Sequence, residues 1–96
     1  MKKFTILIPI YNDWESLEKL LANINDNIKN IQEAKFNCVI VDDCSTVKSL
    51  EIKIPSNISS VEIIHMKQNR GHARCNAFGV KYLSKRLDLD YVILMD

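Results

Sequence analysis

A surplus of charge of either sign is what this sequence most plainly lacks: 13 Lys and Arg against 12 Asp and Glu leave a net +1 over 96 residues. With no global basic field, and no basic tract interleaved with aromatics, no nucleic-acid partner is expected. Cysteine is scarce, three in all, with no C-x-x-C spacing. That pattern offers no readable zinc site and fits reduced thiols in a cytosolic domain better than a disulfide framework. The expected location is cytoplasmic, with membrane association open to a full-length protein. Repeats, low-complexity tracts and interdomain linkers are absent too. The 47% hydrophobic and 26% charged residues are those of an ordinary globular chain, and residues 1–96 make one domain at most.

Long hydrophobic runs are missing as well. No stretch approaches the roughly 20 apolar residues that span a bilayer, so no membrane segment is expected in this chain. The opening "MKKFTILIPI" has the look of a signal peptide, but Pro9 interrupts it and "YNDWE" follows with no small-residue cleavage site. It is better explained as a strand.

What is present alternates between short apolar runs and amphipathic segments. Phe4 to Ile10 is continuously apolar, as in a strand buried on both faces, and so central in its sheet. Asn12, with Glu15 three positions on, is an N-cap candidate for a helix. Leu17, Leu20, Leu21, Ile24, Ile28 and Ile31 then recur at spacings that make one helix face. Phe36 to Val41 predicts a second buried strand ending on two carboxylates, Asp42 and Asp43. Residues 44–60 predict a loop, and Val61 to Met66 a third strand. After Gly71, the residues Cys75, Phe78, Gly79, Tyr82 and Leu83 fall at helical spacing, with basic Lys85 and Arg86 at the end. Tyr91 to Met95 predicts a fourth strand, followed by Asp96.

The order strand, helix, strand, strand, helix, strand predicts an α/β fold: an open, mostly parallel, Rossmann-like sheet of about four strands with two main flanking helices. Ligands of such sheets bind beyond the carboxyl ends of the strands, where the strand order reverses. The unusual polar residues cluster at those ends: Tyr11, Asn12 and Asp13; Asp42 and Asp43; the "NRGH" loop; and Asp96. Neither G-x-G-x-x-G nor G-x-x-x-x-G-K-[ST] occurs, so a polyphosphate has to be held in another way. A divalent cation on carboxylate oxygens is one such way.

The stretches "ILIPIYNDWESLEKLL", "VIVDDCST", "NRGHARCNAFGV" and "YVILMD", in that order and spacing, resemble the N-terminal half of the GT-A family 2 glycosyltransferases. The resemblance covers essentially the whole chain, which looks like such a domain cut short at its D-x-D motif. It departs from the family at Cys44, where Gly is common, and at Val47, where a polar residue is common; both bear on loop geometry. The resemblance implies a metal-dependent, inverting, hexosyltransferase-like enzyme that moves a sugar from a UDP- or GDP-linked donor to an acceptor hydroxyl. The acceptor is unspecified, and this chain alone is not expected to turn over. It implies that Asp43 accepts hydrogen bonds from the nucleotide base, while Asp42 contacts ribose or supports the loop. Tyr11 is expected to stack or pack beside the base, with Pro9 shaping the strand exit, and Arg70 and Arg74 are expected to favour the diphosphate at a helix start. His72 matches the family's Gly-His pair. Asp96 stands as the first Asp of D-x-D and the ligand of Mg2+ or Mn2+ in the full-length enzyme. No catalytic base is assigned.

Two other readings compete. A phosphoacceptor receiver module also pairs acidic residues with a parallel sheet, although its acidic pair follows the first strand. A non-catalytic α/β domain that self-associates through an exposed sheet edge is the other.

Overall fold

The fold is taken from a computed structural model, which describes residues 1–48, 51–86 and 89–95. Strand β1 (Lys2–Ile10) leads to helix α1 (Trp14–Ile28), then β2 (Ala34–Asp42), β3 (Ser60–His65), α2 (His72–Ser84) and β4 (Tyr91–Leu94). All four strands are parallel, in the order β3-β2-β1-β4. The predicted α/β class, strand count and helix count therefore hold, and β1 is indeed interior.

Alternation along the strands builds two apolar layers. Ile6, Ile8 and Ile10 of β1 and Phe36, Cys38 and Ile40 of β2 face α1, which buries Trp14, Leu17, Leu21, Ile24 and Ile28 against them. Leu7, Val39 and Val41 face the other way, against Cys75 and Leu83 of α2. Each such large apolar side chain contributes roughly 1.5–3 kcal/mol on burial. Gly79 lets α2 approach β1 closely: a Cβ there would sit 2.5 Å from a methyl of Leu7.

Two expectations need correction. Helix α1 stops at Ile28, and Ile31 is 51% exposed. The Ile31 amide bonds the Ile28 carbonyl in a turn, and Glu33 at φ 60 reverses the chain into β2. Asn12 is not the N-cap: it adopts φ 58, Asp13 holds the cap position, and no side chain bonds the first turn. Of the helical-spacing set in α2, Cys75, Gly79 and Leu83 are buried, whereas Phe78 and Tyr82 are 40% and 38% exposed. The short edge strand β3 leaves that flank of the helix only partly covered.

The register aligns Ile10, Asp42 and His65 across neighbouring strands. Three strand ends thus finish at one edge, with the order reversing between β1 and β4.

Candidate functional site

Because adjacent residues of a strand face opposite sides, the two carboxylates at the end of β2 separate. Both are buried, at 4% and 1% exposure. Asp42 Oδ1 accepts the Ser45 amide at 3.0 Å and the Ser45 hydroxyl, and Oδ2 meets His65 Nδ1 at 2.7 Å. The carboxylate closes the turn that leaves β2 and ties it to the end of β3. Cys44 sits in that turn at φ 60, so the left-handed backbone for which glycine suits best is kept here by a cysteine. Its thiol reaches the Lys67 carbonyl at 3.5 Å.

Asp43 points to the α2 side. Its Oδ1 accepts the Arg70 amide at 2.6 Å and its Oδ2 the Gly71 amide at 2.8 Å, while its own carbonyl accepts the Asn69 side-chain amide at 3.2 Å. Gly71 precedes α2 at φ 87, a conformation that favours glycine. Burial by itself would raise the Asp43 pKa. The two backbone amides, the Cys75 thiol and the nearby His72 outweigh it and hold the carboxyl below its ordinary value. Burial, with Asp43 beside it, pushes the Cys75 thiol up to about 12, so this cysteine is a neutral hydrogen-bonding core residue and not a nucleophile.

Asn12 fixes the loop after β2 from the other side. Its amide donates to Ser45 Oγ at 2.8 Å, and its Oδ1 accepts the amides of Thr46 and Val47 at 2.8 and 2.9 Å. Trp14 Nε1 donates to the Val47 carbonyl at 2.9 Å. Asparagine tolerates φ near 58 better than most residues and carries an acceptor short enough to take two amides. Asn12, Ser45, His65 and Asn69 are the organising residues that sequence reasoning missed in these roles. The signals were the positions of Asn12 in "IPIYN", Ser45 in "VIVDDCST" and Asn69 in "NRGH".

Pro9, Tyr11 and His72 share a cleft of about 190 Å³ at the end of β1, with Asp13, Ser16 and Leu20. Pro9 is buried, Tyr11 41% exposed and His72 exposed. Arg70 joins the other side of the α2 entry, lining an open depression of about 430 Å³ with Ile64, His65, Met66 and Phe78. Arg74 lies exposed in the first turn of α2. Asp96 lies outside the described residues. Among the described residues no three His, Cys, Asp or Glu side chains converge as a metal site. Asp42 and Asp43 are engaged by the Ser45, His65, Arg70 and Gly71 groups that surround them, and no third ligand of that kind joins the two among the described residues, so they do not by themselves make a metal site.

The arrangement is a loop platform at the carboxyl edge: two buried carboxylates lock the chain segments, and Tyr11, Arg70, His72 and Arg74 are left pointing outward from it. Residues 5–96 match the family described as glycosyl transferase family 2. Two undecaprenyl-phosphate 4-deoxy-4-formamido-L-arabinose transferases align with all of the chain, that of Proteus mirabilis at 28% identity and that of Photorhabdus laumondii at 32%. The chain spans 29% of the length of each. A poly(ribitol-phosphate) beta-N-acetylglucosaminyltransferase of Staphylococcus aureus is 35% identical over 54% of the chain and 9% of its own length. No solved structure matches. These matches set aside a receiver module.

Proposed function

The chain belongs to glycosyl transferase family 2, and from that premise we propose that it forms the nucleotide-sugar-binding part of an enzyme that transfers a sugar to an acceptor oxygen. The observation that carries the reading is the anchoring of the α2 entry by Asp43. It fixes the start of a helix at the carboxyl edge of the sheet, beside the point where strand order reverses, which is where α/β sheets take nucleotides. The first turn of a helix has amides with no acceptor inside the helix. Here those amides, from His72 to Arg74, stand with two arginines where a diphosphate is to be held.

In the reaction, an acceptor oxygen forms a bond to the anomeric carbon as the bond to the diphosphate breaks, inverting that centre; a hydroxyl acceptor gives its proton to a base outside the residues assigned above, and an ionised phosphate oxygen has none to lose. The electron pair leaves on the nucleoside diphosphate. Arg70, Arg74 and the α2 entry oppose the charge that grows there. Tyr11 offers its ring to the base or sugar from the cleft over Pro9. Asp42 and Asp43 act through the loops they hold, and either carboxylate retains lone pairs for the base or ribose. The Mg2+ or Mn2+ of the family resemblance belongs to the region of Asp96 and is no part of the geometry above. The donor is a UDP- or GDP-linked sugar; the relatives' names join sugars to undecaprenyl phosphate or poly(ribitol phosphate), so a phosphate-bearing acceptor is as fitting as a free hydroxyl.

A second copy of the chain is a further partner in this reading. Tyr91, Ile93 and Leu94 of edge strand β4 are 47%, 41% and 54% exposed, and no charge protects residues 91–95. Among the described residues no helix is long and apolar enough to cross a membrane. Calorimetric titration with UDP and GDP tests the donor reading: saturable heat that Arg70→Ala reduces is expected, and no heat from either nucleotide would refute it.

A further inference from the structure

The two helices differ in charge. Helix α1 carries Glu15, Glu18 and Asp26 against Lys19, whereas α2, "HARCNAFGVKYLS", has no acidic residue. Arg74, Phe78, Lys81, Tyr82 and Lys85 recur at spacings of three and four along or just beyond α2 and so form one stripe. All five are exposed. Two shallow depressions meet at Phe78. One, of about 430 Å³, is floored by Ile64 and Met66 and carries Lys67 and Arg70; the other, of about 340 Å³, is lined by Phe78, Lys81, Tyr82 and Lys85. Among the described residues, Glu62 is a carboxylate that touches the stripe. It accepts the Tyr82 hydroxyl at 2.6 Å and pairs with Arg86 at 3.4 Å, which offsets its charge.

We propose that this α2–β3 strip is a docking surface for an anionic lipid bilayer. Half-exposed aromatic rings suit the headgroup level, where apolar body and polar tip are both accommodated, and flanking Lys and Arg side chains reach lipid phosphates. A second copy fits less well, since a two-fold contact would set the cations of the strip against themselves. The strip starts at Arg70, at the α2 entry, so docking brings the carboxyl edge of the sheet beside the membrane. Only that link, to an acceptor held in the bilayer, rests on the donor-site reading; the docking stands on the face itself.

Co-sedimentation of the 96-residue chain with phosphatidylglycerol and with phosphatidylcholine vesicles tests it. Binding to the first, weakened by added salt, and not to the second is expected. The pair Lys81→Gln with Lys85→Gln lowers partitioning about 30-fold, two cations at the usual strength near an anionic surface. Phe78→Ser lowers it roughly fivefold. The control pair Lys19→Gln with Lys29→Gln, on and just beyond α1, leaves it unchanged, and circular dichroism checks that all variants remain folded. No binding, equal binding to both vesicles, or an equal loss in the control pair overturns the proposal. So does a dimer in light scattering that the strip variants dissociate while vesicles go unbound. UDP titration of the Lys81, Lys85 pair separates the two readings: unchanged nucleotide affinity with lost vesicle binding is expected, and vesicle binding with no nucleotide binding would refute the donor site alone.

Discussion

Gly71 donates its backbone N–H to Asp43 Oδ2 at 2.8 Å, across 28 positions of sequence. With the Arg70 amide on Oδ1 at 2.6 Å, the bond makes one buried carboxylate the anchor for the start of α2. An asparagine has a single carbonyl, so it satisfies one amide and turns an NH2 toward the other. Asp43→Asn is therefore expected to destabilise the fold by about 2 kcal/mol, read from urea unfolding. The sign with pH is fixed by the lowered carboxyl. A carboxylate whose pKa is lower folded than unfolded contributes stability that is fully present above the unfolded value and is lost as pH falls through the folded one. Below about pH 4 the native chain should lose stability more steeply than Asp43→Asn. Parallel acid unfolding curves would contradict this role.

Asn12 holds the loop after β2 through two amides taken on one oxygen. Asn12→Ala removes the acceptor and places alanine at φ 58, so a loss of roughly 2–3 kcal/mol is expected. Asn12→Asp keeps the acceptor and gives up only the bond from Nδ2 to Thr46 Oγ1; its loss should stay under about 1 kcal/mol. Thermal unfolding of both checks the order, and equal losses would show that the side-chain oxygen is not what holds the loop.

Much of the fold is legible because the central strands are buried on both faces: "FTILIPI" and "FNCVIV" leave no other economical place for so many apolar side chains. The α1 face is legible for a similar reason, up to Ile28. Ile31 fits the same period, but the helix has already ended at Ile28 and the chain is turning towards its reversal at Glu33, which periodicity does not contain. The site is legible as a place, the strand ends, and less so as a set of roles. Asp43 meets Arg70 and Asn12 meets Thr46 only through the parallel topology, with 27 and 34 positions between partners. Nothing near either residue encodes its partner. Phe78 and Tyr82 share the spacing of core residues, and only the narrowness of β3 leaves them exposed.

Gly79 is the close-approach point of α2 on β1. A Cβ there meets Leu7 methyls at 2.5 and 2.7 Å, and Leu7 is fully buried. Alanine improves helix propensity by roughly 1 kcal/mol, but overpacking a filled core costs roughly 1–3 kcal/mol. A net loss of up to about 2 kcal/mol is expected for Gly79→Ala, against the gain it would give on an exposed helix. A raised melting temperature would mean that Leu7 moves aside freely.

The uncharged edge of β4 should pair with a second copy. Light scattering of the native chain is expected to give a dimer or larger species, and Ile93→Lys, placing a charge on that edge, should shift it to monomer with little effect on unfolding. A native chain that stays monomeric at high concentration would contradict the pairing.

The central claim, that the carboxyl edge of this sheet binds a nucleoside diphosphate, is tested most directly by amide NMR of the labelled chain during titration with UDP and GDP. Saturable shifts are expected at Tyr11 and Asn12, across Asp43 to Thr46, and from Arg70 to Arg74, with the amides of Arg70 and Gly71 among the most affected because Asp43 holds them at the site. Shifts confined to the opposite end of the sheet, around Lys2 and Glu33, or an unchanged spectrum with either nucleotide, would contradict it.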